Sequence, residues 1–174
     1  MSIEALKEQM PETAKDIRLN LSKVMSEEGA PGLTQKQILG TALASAYATR
    51  HPQLIATMTA EAATVLSAEE IAASKAAATI MAMNNIYYRF IHLAANDEIK
   101  KMPANLRMQV IANPGVPKLD FEIFSLAVSA INGCGMCMES HLHELTKAGL
   151  SGQGAQSAIR IAAVLNASAQ ALIA

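Results

Sequence analysis

The sequence predicts an all-α protein, on three observations. Alternating runs of β-branched and aromatic residues are missing, and aromatics are only 3% of the chain, so no stretch reads as a strand. Two capping boxes open long stretches of helical periodicity. The clearest break, "NPGVPK" from Asn113 to Lys118, combines two prolines and a glycine and separates helical lengths on either side.

Taken in order, the first strong helix is "LTQKQILGTALASAYATR". Thr34 with Gln37 three residues on forms the box, and Ile38, Leu39, Ala42, Leu43 and Ala46 follow at helical spacing. Ser67 and Glu70 open the second, "SAEEIAASKAAATIMAMNNIYYRFIHLA". Past the loop, "LDFEIFSLAVSAI" places Phe121, Phe124 and Val128 on one side and Ile123 with Leu126 on the other, the pattern of a well-buried helix that ends near Asn132-Gly133. A further helix can start at Cys134, run to about Lys147 and stop at Gly149, and a last one runs from about Gly152 to the C-terminus.

At 174 residues with no evident linker, the chain reads as one domain spanning residues 1–174. Fourteen basic against fifteen acidic side chains leave a net charge of −1, which provides no electrostatic footprint for nucleic acid or anionic lipid and points to a small molecule or a protein as partner. Charged residues stop at 17% while hydrophobic ones reach 51%, so some apolar surface is expected to be buried between subunits of a homo-oligomer. The most apolar segments, "AAATIMAM" and "IAAVLNASAQALIA", fall short of the roughly 20 residues of a membrane span. The N-terminus lacks the apolar run of a signal peptide, and a cytoplasmic location follows as the default.

Shifted by 84 positions, "ALASAYATRHPQLIATMTAEAATVLS" lies over "LAVSAINGCGMCMESHLHELTKAGLS", a faint repeat of a helix-turn-helix unit in which Ser45 meets Ser129 and Ser67 meets Ser151. Arg50 and Gln53 occupy the cysteine positions of the first copy, so only the second copy can perform thiol chemistry.

The two cysteines of the chain fall in that second copy, in "SAINGCGMCMESHLHEL". In a reducing cytosol a Cys-x-x-Cys pair is a redox or metal element rather than a structural staple. At about 100° per residue, Cys134 and Cys137 lie about 60° apart on a helix with His141 between them, whereas His143 projects to the far side. A cysteine in the first helical turn is favoured as thiolate by the unpaired amides there, which points to Cys134. Proximity to a base points instead to Cys137, four residues before His141. The second thiol can then trap a sulfenic acid as a disulfide. Two carboxylates are candidates to orient His141: Glu144, one turn beyond it on the same face, and Glu122, set among Phe121, Ile123 and Phe124 on the preceding helix.

These residues carry a resemblance. A glutamate, eleven residues, Cys-x-x-Cys, three residues and a histidine is the motif of the alkylhydroperoxidase D family, within the wider superfamily of carboxymuconolactone decarboxylases, and Glu122, Cys134, Cys137 and His141 meet it in full. The longer context "NPGVPKLDFEIFSLAVSAINGCGMC", the opening "MSIEALKEQMPETAKDIRLNL" and "AAATIMAMNNIYYRF" are similar to the family as well. Some members have histidine where this chain has Met136, so no relay through that position carries over. The resemblance implies a helical bundle of the alkylhydroperoxidase D type, favoured as a trimer, with no bound cofactor, that reduces organic hydroperoxides. Cys137 is then the attacking thiol, Cys134 the resolving one, His141 the base and Glu122 the carboxylate that orients it. Electrons would come from the dihydrolipoyl group of a lipoylated partner protein and can pass to a peroxiredoxin.

Within that resemblance an alternative is a disulfide reductase that mainly relays electrons to the peroxiredoxin. Zinc held by Cys134, Cys137, His141 and a fourth group is disfavoured, because His143 faces away and familiar zinc patterns place their second ligand pair far from the first. Two incidental thiols in a structural or sensing protein form the remaining reading.

Overall fold

The computed structural model describes residues Met1–Ala174 and contains helices and no strand. In chain order these are α1 (Ile3–Lys7), a 3₁₀ turn at Glu12–Ala14, α2 (Lys15–Val24), α3 (Gln35–Thr49), α4 (Pro52–Ala62), α5 (Ala68–Ala94), α6 (Asp97–Lys101), α7 (Gln109–Ala112), α8 (Lys118–Ile131), α9 (Gly135–Lys147) and α10 (Gly152–Ala171). No helix is long and apolar enough to cross a membrane.

Both capping boxes form. Thr34 Oγ1 accepts from the Gln37 amide while Gln37 Oε1 accepts from the Thr34 amide, and Ser67 with Glu70 repeats the exchange. The Gln37 side chain also donates through Nε2 to Asp120 Oδ1 at 2.8 Å, so the start of α3 is tied to the start of α8.

Helices α3 and α8 form the centre. Every residue from Ile38 to Ala46 is buried, as is every residue from Phe121 to Ser129, so both helices are covered on all sides rather than along one stripe. They pack against each other and against α5 and α10, and one core cluster draws on residues from Leu6 to Ala171. Their approach is close at Gly40, where an added Cβ would lie 2.5 Å from Cε1 of Phe124. The small residues of α3 allow its neighbours to come this near from several directions.

The repeat seen in the sequence is a repeat of helices. Gln35, Pro52 and Ala68 begin α3, α4 and α5; Lys118, Gly135 and Gly152 begin α8, α9 and α10, at offsets of 83, 83 and 84 residues. Ser67 and Ser151 cap the third helix of each copy, accepting from the Glu70 and Gly154 amides. At the 84-residue shift the first copy has Ile38 and Thr57, both fully buried, where the second has Glu122 and His141.

Candidate active site

The site is built on the turn between α8 and α9. Gly133 adopts φ +70, which ends α8 at little steric cost, and the Cys134 amide donates back to the Ser129 carbonyl at 3.0 Å. Helix α5 clamps this turn from the side. Asn85 Nδ2 donates to Ser129 Oγ, Asn132 Nδ2 donates to Asn85 Oδ1, each at 2.9 Å, and Arg89 Nη1 donates to the Asn132 carbonyl at 2.6 Å. A polar network whose members are all paired holds one geometry, so the cysteines start from a fixed point.

Cys134 occupies the N-cap of α9, one position before the first helical turn, and its Sγ accepts from the Cys137 amide at 3.3 Å. The two sulfurs are bonded to each other with Cα atoms 5.3 Å apart, so the structure holds the oxidised pair. Cys137, His141 and Leu145 form the buried face of α9, and His143 is exposed, as the helical projection requires.

His141 Nδ1 lies 2.7 Å from Oε2 of Glu122, and both side chains are buried. A carboxylate only accepts, so Nδ1 carries the proton and Nε2 is the basic nitrogen of the neutral ring. A carboxylate among phenylalanines would be costly alone; the charge-assisted hydrogen bond to imidazole gives Glu122 its partner. Glu144 turns elsewhere, forming a 2.9 Å ion pair with Lys118 at the rim. That hydrogen bond holds the Glu144 carboxyl below its usual range and raises the Lys118 ammonium. The pair is open to solvent, so its contribution is small, is present above the ordinary carboxylate pKa and fades as pH falls through the depressed value. Glu144→Gln is therefore expected to leave thermal stability and turnover close to wild type, and a melting scan with a parallel activity assay checks both.

Sequence reasoning missed the contribution of α5. Met81 Sδ sits 3.3 Å from His141 Nε2, on the side of the ring opposite Glu122. Met81, Asn84 and Tyr88 lie three and four residues apart on α5 and line a cavity of about 420 Å³ together with Cys137, His141, Met108 and Ile111. Met136 also lines the cavity. Cys134 is fully buried outside it. No group of three or more His, Cys, Asp and Glu side chains is placed to hold a metal ion.

A helical fold that places a Cys-x-x-Cys disulfide against a buried Glu–His pair, at the wall of a small cavity, defines a dithiol/disulfide protein. The family model described as "Carboxymuconolactone decarboxylase family" matches residues 97–174. Over 171 residues the chain is 54% identical to a protein of Coxiella burnetii named alkyl hydroperoxide reductase AhpD, covering 98% of this chain and 97% of that one. Proteins of the same name from Maricaulis maris, 54% identical over 100% of this chain and 99% of the other, and from Rhodopseudomonas palustris, 56% identical over 95% and 90%, agree. The chain belongs to the alkyl hydroperoxide reductase AhpD family.

Proposed function

We propose that the protein is a thiol peroxidase that reduces organic hydroperoxides through Cys134 and Cys137 and is re-reduced by the dihydrolipoyl group of a partner protein. The observation that carries this reading is the Glu122–His141 hydrogen bond beside Cys137 at the cavity wall. In the reduced protein His141 takes the Cys137 proton through Nε2, and Glu122 stabilises the imidazolium. The thiolate attacks the distal oxygen of the hydroperoxide, the O–O bond breaks, and the departing alkoxide receives the His141 proton to leave as alcohol. Cys137 is then a sulfenic acid. Cys134 attacks its sulfur, the two cysteines form the disulfide, and the hydroxyl departs as water with the Cys134 proton. Two electrons from the donor dithiol restore both thiols.

Access favours small or slender reactants. Cys137 is only 6% exposed and meets the outside through the cavity, where a hydroperoxide or an extended lipoyl arm fits more readily than the surface of a folded partner. This supports peroxide reduction over the alternative of a relay whose main acceptor is a peroxiredoxin cysteine. A peroxide-consumption assay with dihydrolipoamide, glutathione and thioredoxin as donors tests the reading. Turnover is expected with dihydrolipoamide, and equal turnover with all three would remove the specific donor.

The proposal includes a homotrimer. Ile86, Phe90 and Leu93, spaced four and three residues apart on α5, are 63%, 53% and 72% exposed, an apolar stripe beyond the cavity. Phe90→Glu is expected to shift the protein to monomer in sedimentation velocity, and an unchanged sedimentation coefficient would move the interface off α5.

A further inference from the structure

Two adjacent asparagines in the middle of α5 have opposite surroundings. Asn85 is paired on both atoms of its carboxamide, to Ser129 and Asn132, and serves the turn that carries the cysteines. Asn84 is 4% exposed, and its Oδ1 is buried with no hydrogen-bond partner in the protein. A buried carboxamide that leaves an acceptor unpaired is unfavourable where it stands, since leucine would fill a helical wall without that cost. Its position explains what is gained. Asn84 lines the cavity shared by Cys137 and His141, one helical turn from Met81, whose sulfur touches the reactive side of the His141 ring.

We infer that the carboxamide of Asn84 binds the peroxide group of the substrate, a role that rests on the hydroperoxide reading of this site. A hydroperoxide presents one O–H donor on its distal oxygen and acceptor lone pairs on the oxygen bonded to carbon. The Asn84 carboxamide meets the second of these: its Oδ1 is shut off from solvent, and Nδ2–H, the open side of the group, donates to the oxygen bonded to carbon. When the Cys137 thiolate attacks the distal oxygen, that O–H proton remains with the forming sulfenic acid. The O–O electron pair moves onto the carbon-bound oxygen, where negative charge develops beside Nδ2–H until His141 delivers its proton. The Asn84 bond therefore strengthens along the reaction, as donors aimed at developing charge do. Re-reduction of the disulfide places no charge on such an oxygen and gains nothing from Asn84.

The two halves of the cycle separate this role from packing. The test mixes pre-reduced protein with cumene hydroperoxide and follows thiol loss by quench-flow alkylation and mass spectrometry. Separately, the disulfide form is reduced with dihydrolipoamide. Asn84→Leu, and Asn84→Ala as a smaller replacement, are expected to slow oxidation by about 10²-fold, the usual cost of removing one such donor. Reduction by dihydrolipoamide should stay within about threefold of wild type, and Asn84→Leu should melt no lower, because an unpaired buried polar group has been removed. Oxidation within about threefold of wild type, or equal slowing of both halves, overturns the role of Asn84 while leaving the peroxidase intact. A wild-type protein that cumene hydroperoxide does not oxidise overturns the peroxidase reading, and the Asn84 role with it.

Discussion

Cys137→Ser is expected to abolish hydroperoxide consumption, a fall of at least about 10⁴-fold, because the residual rate of a site without its nucleophile comes only from binding and polarisation. Cys134→Ser should behave differently, consuming about one equivalent of peroxide and stopping at a sulfenic acid on Cys137. The helix dipole alone would select Cys134, which stands at the N-cap of α9 where the unpaired amides are densest. Access reverses that choice. Cys134 is fully buried, whereas Cys137 lines the cavity together with His141. A dipole favours an ion without removing its proton from the site, and only a base can take that proton and later return one to the leaving oxygen. Dimedone labelling and mass spectrometry after a single addition of cumene hydroperoxide would read the outcome. Rapid labelling of Cys134 in the Cys137→Ser protein would reverse the order of the two sulfurs.

Where the fold is locally encoded, the sequence shows it. The capping boxes at Thr34 and Ser67, the Gly133 stop and the Ser151 cap are side-chain or backbone devices complete within a few residues, and each marks a helix end in the structure. Short helices leave fainter marks. Helix α6 has no buried residue and starts on Asn96, whose Oδ1 accepts from the Glu98 and Ile99 amides, so no apolar period announces it. Helix α7, four residues long, lacks both a cap and a buried face. Helix α4 could be read only as part of the repeat, although Pro52 at its first turn is a start signal in its own right.

The site divides along the same line. Cys134, Cys137 and His141 lie on α9 and its N-cap, so spacing alone brings them onto one face, with Glu122 on the helix before. It could not choose between Glu122 and Glu144, because that depends on how α8 packs against α9; the structure gives Glu122 to His141 and Glu144 to Lys118. Met81 and Asn84 come from a helix some way back in the chain, where a methionine at helical spacing looks like core. The signal that could have pointed to this wall was the Asn84-Asn85 pair. Asparagine competes with the helical backbone for hydrogen bonds and is a poor mid-helix residue, so two together in a buried stretch need a purpose.

Glu122 and His141 should act as one unit. Glu122→Gln replaces the carboxylate by a carboxamide of nearly the same shape, which can still orient the ring but no longer stabilises the imidazolium by its charge. His141→Gln removes the base itself. Each change is expected to slow peroxide turnover by about 10²–10⁴-fold, the range for loss of general base catalysis. The double mutant should lose little more than His141→Gln alone, because once the imidazole is gone the carboxylate has no cation to stabilise. Stability separates the two further. His141→Gln leaves the Glu122 carboxylate buried without the ring N–H that pairs it, whereas Glu122→Gln leaves a neutral ring facing a neutral amide. Leaving a buried acceptor without its hydrogen-bond donor costs about 1–3 kcal/mol, and more when the acceptor is charged. Urea denaturation should therefore show His141→Gln as the less stable single variant, with Glu122→Gln restoring part of the loss in the double mutant. Additive losses in both rate and stability would mean that the two residues act independently, and the 2.7 Å contact would then be an incidental neighbour of the chemistry.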